Sequence, residues 1–86
     1  MKIVIANKKL ENKISKIAKG DKTHAEAIFK AYIKIKENPY VGKPLRNKLK
    51  GTYRIHVYTS FVMIYEIKEE IETIVILEYE HHDKAY

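Results

Sequence analysis

Arg54 and His56 stand two residues apart in Tyr53-Arg54-Ile55-His56-Val57, where apolar and polar residues alternate. Period-two alternation predicts a strand with one buried face and puts Arg54 and His56 together on the other. Histidine exchanges a proton near neutral pH, and arginine stays charged and can grip a phosphate through two parallel hydrogen bonds. A second group closes the chain, where His81, His82, Asp83 and Tyr86 offer two imidazoles, a carboxylate and a phenol. If the last strand lies beside the one carrying Arg54 and His56, the two groups converge. Metal ligation is not expected, because adjacent histidines on an extended chain point apart and His24 lies on a predicted helix far along the sequence. A third group is cationic: Lys43, Arg46, Lys48, Lys50 and Arg54 follow one another with no acidic residue between them. Such a patch attracts a polyanion, because binding releases the counterions condensed on it. Nucleic acid is the leading partner class. The sequence has no glycine-rich phosphate loop, no cysteine nucleophile and no Gly-x-Ser-x-Gly elbow.

The elements that must carry these groups can be read from periodicity. Residues 2–6 form a short β-type run. After Asn7, a plausible N-cap, Leu10, Ile14, Ile17 and Ala18 recur at helical spacing, and Gly20 supplies a stop. Thr23 and Glu26 have capping-box spacing, and Ile28, Ala31, Tyr32 and Ile35 mark one face of a second helix. Asn38-Pro39 ends it, since the residue before proline resists the α region. Beyond it, Gly42-Lys43-Pro44-Leu45 and Lys50-Gly51-Thr52 read as turns around a short segment from Arg46 to Leu49. Thr59-Ser60 joins the Arg54 strand to a strand from Phe61 to Ile67, and Lys68-Glu69-Glu70 joins that to a strand from Ile71 to Tyr79. The order β-α-α-β-β-β predicts one α+β domain over residues 1–86. An antiparallel two-helix hairpin should pack on one face of a curled, mainly antiparallel sheet and leave the other face open.

Composition fits this reading. An 86-residue chain makes one domain with one modest core. With no cysteine, disulfides and cysteine zinc sites are excluded and a cytoplasmic address is expected. No apolar run reaches the roughly 20 residues of a membrane span. The net charge of +6 conceals a polarity. From Met1 to His56 fifteen basic residues face four acidic ones, +11; from Val57 to Tyr86 two face seven, −5. The helical lysines read as an ordinary solvated surface.

Four phrases, in order and at consistent spacing, resemble the RelE/ParE superfamily of toxins from toxin–antitoxin pairs. They are Asn38-Pro39-Tyr40-Val41-Gly42-Lys43-Pro44-Leu45, Leu49-Lys50-Gly51-Thr52-Tyr53-Arg54-Ile55-His56-Val57, Ile64-Tyr65-Glu66-Ile67 and the closing His81-His82-Asp83-Lys84-Ala85-Tyr86. The resemblance, to the RelE-like branch first, implies a ribosome-dependent endoribonuclease acting on translated mRNA, without metal or cofactor. It implies neutralisation by a RelB-like, acidic, wrapping antitoxin, and no membrane partner. The ParE-like alternative is a non-nuclease that inhibits DNA gyrase; an attenuated toxin that only binds its antitoxin is a further one. Carried over by position, the catalytic candidates are Arg54, His56, His82 and Tyr86. Lys43, Arg46, Lys48 and Lys50 would hold RNA, with His81 and Asp83 in support. Two departures from the family pattern stand: Val62 and His82 each occupy a place where many relatives carry arginine.

Overall fold

The computed structural model describes residues 1–46 and 51–83. Strand β1 (Lys2–Ile5) leads into helices α1 (Lys8–Gly20) and α2 (Lys22–Glu37). A 3-10 turn (Pro39–Val41) and a two-residue strand β2 (Lys43–Pro44) follow. Strands β3 (Thr52–Tyr58), β4 (Phe61–Lys68) and β5 (Thr73–His81) complete the chain, with a second 3-10 turn, Glu69–Ile71, before β5. The sheet order is β1-β5-β4-β3-β2. Only β1 and β5 run parallel, with Lys2 opposite Thr73 and Ile5 opposite Ile76, so the sheet is mixed and mostly antiparallel, as expected.

The helix ends follow from short polar side chains. Asn7 caps α1, its Oδ1 accepting the Leu10 N–H at 2.8 Å. The cap of α2 is Asp21, which accepts the His24 N–H at 3.1 Å, and not the expected Thr23. A carboxylate directly after Gly20 lets α2 begin with only Asp21 between it and α1, so Thr23 is already inside the helix.

Both helices lie on one face of the sheet. Leu10 and Ile14 of α1 and Ile28 and Ile35 of α2 meet Met63, Tyr65, Ile67, Ile74, Ile76 and Tyr79 in the core, with Tyr53, Ile55 and Val57 packed against it. Helical and period-two patterns thus converge on one apolar layer, and Arg54 and His56 take the other face of β3. That second face is not bare. Val62 and Ile64 point away from the helices, yet each is only 3% exposed.

Two segments differ from the sequence expectation. Lys43 and Pro44, expected in a turn, pair with Arg54 and Tyr53 as an edge strand. Their register is set by Gly42, where a Cβ would lie 2.7 Å from the Tyr65 hydroxyl and 2.9 Å from the Arg54 carbonyl oxygen. Only glycine allows that approach, and the Tyr65 hydroxyl uses it, accepting the Gly42 N–H at 3.0 Å and donating to the Pro39 carbonyl at 2.7 Å. The last strand begins at Thr73, not Ile71, because Glu72 adopts left-handed backbone (φ 49°) after the 3-10 turn. It also runs on past Tyr79, with Glu80 opposite Val62 and His81 opposite Phe61.

Candidate functional site

The register of β3, β4 and β5 lays out the face away from the helices. Arg54 lies opposite Ile64, which lies opposite Glu78. One row along, His56 lies opposite Val62, which lies opposite Glu80. In the register two buried aliphatic residues thus stand between Arg54 and His56 on one strand and Glu78 and Glu80 on the other, the Glu80 carboxylate reaching back to Lys13 of α1. The charge polarity of the chain has become a gradient across the sheet. Lys43, paired with Arg54, places a second cation on the basic edge, and Arg46 follows in the turn after β2.

His56 is fixed in direction. Its Nε2 is hydrogen-bonded to the Thr59 carbonyl oxygen. A carbonyl only accepts, so Nε2 carries the hydrogen, and in the neutral ring Nδ1 is left with its lone pair. Thr59 occupies left-handed backbone (φ 41°), which turns its carbonyl back toward β3. The next carbonyl, that of Ser60, accepts the backbone N–H of His82 and so fastens the end of β5 to the same turn. An ion pair from Lys13 of α1 to Glu80, 2.6 Å, also holds this part of β5.

The expected site residues are brought together unequally. The last strand does not lie beside the Arg54 strand: β4 stands between β5 and β3, because each pairs with β4 through a hairpin connection. The terminal group therefore does not converge directly on Arg54 and His56. Strand spacing and rise separate the Arg54 and His82 backbones by about 10 Å across the strands and about 13 Å along them. His82 and Asp83 are exposed, with Nδ1 3.8 Å from Oδ1, an ion pair only when the imidazole is protonated. His81 goes to the helix side, its ring 4.6 Å from that of Phe61. Lys48, Lys50 and Tyr86 lie outside the described residues. Val62, one of the two departures from the family pattern, is a floor residue between His56 and Glu80 in the register. Among the described residues no three histidine or acidic side chains gather as a metal site.

Two features were not visible in the sequence. A cleft of about 320 Å³ runs between α2 and the outer edge of β3, lined by Glu26, Lys30, Lys34 and His56 among others. Lys30 and Lys34, read as plain solvated lysines, therefore share a cleft with the histidine; their four-residue spacing on one helix stripe was the available signal. The second is His24, which is buried with Nε2 2.6 Å from the Tyr79 hydroxyl. Burial lowers its pKa, with a smaller opposing effect from Asp21, and burial raises that of Tyr79.

A different kind of surface lies on the other flank of α2. Phe29 is 64% exposed, and with Ile3, Ile5, Tyr32, Ile33 and Lys36 it lines a mainly apolar groove of about 320 Å³. The Tyr32 hydroxyl is buried, with no hydrogen-bond partner among the described residues. β1 beside it is an edge strand.

Comparison with known proteins decides the family. The profile of the ParE toxin of type II toxin–antitoxin systems, parDE, matches residues 4–86. This chain belongs to the RelE/ParE toxin superfamily. A Methanocaldococcus jannaschii protein named "Putative toxin RelE4" is 34% identical over 77 residues, 90% of this chain and 82% of that protein. An uncharacterized Methanosarcina mazei protein is 35% identical over 77 residues, 90% of each chain. Among solved structures, this toxin superposes on a YoeB/ParE toxin from Agrobacterium tumefaciens with a TM-score of 0.81 at 16% identity, covering 95% of this chain and 99% of that one. It also resembles a chain of the RelBE2 toxin–antitoxin complex of Mycobacterium tuberculosis, with a TM-score of 0.71 at 26% identity and coverage of 93% and 95%. The toxin fold expected from the sequence is thereby established. Among the described residues no helix is long and apolar enough to cross a membrane.

Proposed function

We propose that this toxin is a metal-independent endoribonuclease that cleaves translated mRNA at the ribosome, and that a RelB-like acidic antitoxin restrains it. The observation that carries the reading is the pinned imidazole of His56, with its proton on Nε2 and its Nδ1 open on the strand face that carries Arg54. Nδ1 would take the proton from a ribose 2′-OH. The freed oxygen attacks the adjacent phosphorus, the bond to the 5′-oxygen breaks, and that oxygen takes a proton from His82. Arg54 balances the charge that grows on the phosphoryl oxygens. Lys43 and Arg46, with Lys48 and Lys50, hold the backbone, and Lys30 and Lys34 extend the cationic track along the cleft. Tyr86 would stack on a base or share in proton transfer. The substrate supplies its own nucleophile, so this chemistry requires no metal.

The antitoxin's seat is the groove between β1 and α2. Its apolar lining, the exposed Phe29 ring, Lys36 at its margin and the adjacent edge strand together suit an acidic amphipathic segment that adds a strand.

A second reading is inhibition of DNA gyrase. It is favoured by the profile matched, that of the ParE toxin. Primer extension on an mRNA under translation separates the two. Codon-positioned breaks that vanish in Arg54→Ala and His82→Ala, with folding intact, support the nuclease. Uncut mRNA together with double-strand DNA breaks would replace it by the gyrase reading.

A further inference from the structure

All four histidines of this chain touch one hairpin turn. His24 reaches it from α2, its ring 4.3 Å from that of Tyr58 and 4.7 Å from that of Phe61. Tyr58 and Phe61 face each other across Thr59-Ser60. The Thr59 carbonyl takes the His56 ring hydrogen, the Ser60 carbonyl takes the His82 backbone hydrogen, and the His81 ring lies on Phe61. The direction of the Thr59 carbonyl therefore decides where the His56 ring points, while the Ser60 carbonyl fixes only the backbone from which His82 projects.

The turn does not hold that shape by itself. Thr59 has a β-branched side chain and a φ of 41°, a region such residues avoid, so its surroundings must fix it. Beneath it, in the stripe His24, Ile28, Ala31 and Ile35 that α2 turns to the sheet, a polar ring stands where an aliphatic side chain would be the ordinary filler. That ring is 4% exposed and is anchored to β5 by the Tyr79 hydroxyl. α2, β3, β4 and β5 meet at one imidazole.

We propose that His24 is a positioning residue: its ring, wedged under Tyr58 and Phe61, sets the Thr59 carbonyl and thereby the tautomer and aim of His56. The inference rests on the nuclease reading only for its kinetic consequence; the coupling of His24 to His56 is independent of it. His24 touches no reacting atom.

Nitrogen-15 NMR of the imidazoles in the full chain tests the coupling. Wild type should show His56 as the Nε2–H tautomer. His24→Phe keeps a ring beneath the turn and should preserve that signature and the Thr59 and Ser60 amide shifts. His24→Gln keeps a donor for Tyr79 but removes the ring, and should give mixed His56 tautomers and displaced turn amides. In the cleavage assay His24→Gln should lower kcat at least about tenfold with KM within about twofold, and His24→Phe should recover most of the loss. Identical His56 spectra in the two variants, whether both like wild type or both altered, overturn the proposal. A variant that does not fold counts against it if it is His24→Phe; if it is His24→Gln, the same comparison is made with His24→Leu, for which mixed tautomers are expected. If the wild type cuts no RNA, the nuclease reading falls while the spectra still decide the coupling.

Discussion

The two flanks of α2 show opposite ways of leaving a surface incomplete. On the β3 side, the His56 ring and the His82 backbone are fastened to turn carbonyls among charged residues, so an exposed imidazole is held in direction at position 56. On the β1 side, Phe29 and Ile33 stand exposed beside Ile3 and Ile5 in a mainly apolar groove. One helix serves both. Its positions 24, 28, 31 and 35 face the core, 30 and 34 line the cleft with His56, and 29, 32, 33 and 36 line the apolar groove. A preorganised polar site suits chemistry, since its dipoles need not reorganise during reaction. An unsatisfied apolar site suits a protein partner that completes it. On the proposed nuclease reading a toxin with an antitoxin needs both, and three stripes of a sixteen-residue helix would supply them.

Removing the central cation should break the polar side most. Arg54→Ala is expected to lower RNA cleavage about 100- to 1,000-fold, with thermal unfolding close to wild type. Retained cleavage would remove Arg54 from the site. On the opposite flank, Phe29→Glu should weaken antitoxin binding about 30-fold or more, measured by calorimetry, because it sets a charge against an acidic segment in an apolar groove. Equal affinity would move the antitoxin elsewhere.

Gly42→Ala probes the packing that holds the basic edge beside Arg54. The new methyl meets the Tyr65 hydroxyl and the Arg54 carbonyl, so a loss of about 1–3 kcal/mol is expected, visible as a Tm lowered by several degrees. Lys48→Ala with Lys50→Ala should reduce the salt dependence of RNA binding by about 1.4 in logarithmic slope, if each lysine holds one phosphate. The smallest effect concerns pH. Burial depresses the His24 pKa below its ordinary 6.5, so on acidification the unfolded chain takes up that proton before the folded one. The stability contributed by neutral His24 is full above pH 6.5 and is lost as the pH falls through the folded value. Chemical denaturation across that range should show a shallower fall for His24→Phe than for wild type.

Local patterns carried most of the fold. The helix spacings, the Asn7 cap, the Asn38-Pro39 stop and the alternation of β3 each depend on neighbours within a few residues, and each is found. Thr23 was misleading because a capping box competes with any stronger cap just upstream, and Asp21 is one. Lys43-Pro44 was unreadable as a strand, since two residues make no period and only the Gly42 contact with Tyr65 sets their register. The site was legible in types and faces: Arg54 and His56 share a face because parity is local. His24 was passed over because nothing in its neighbourhood shows that a residue on α2 will sit under a turn 35 positions away.

By its order of residues alone the chain specified an α+β domain, its elements, its charge polarity and its resemblance to a toxin family, because periodicity and motif spacing are short-range properties. Tertiary structure alone decided that all four histidines gather on residues 58–61, that Glu78 and Glu80 share a face with Arg54 and His56, and that α2 divides its outer surface between a cationic cleft and an apolar groove. Those facts depend on strand order, register and the seating of α2, which are fixed by long-range packing of the core.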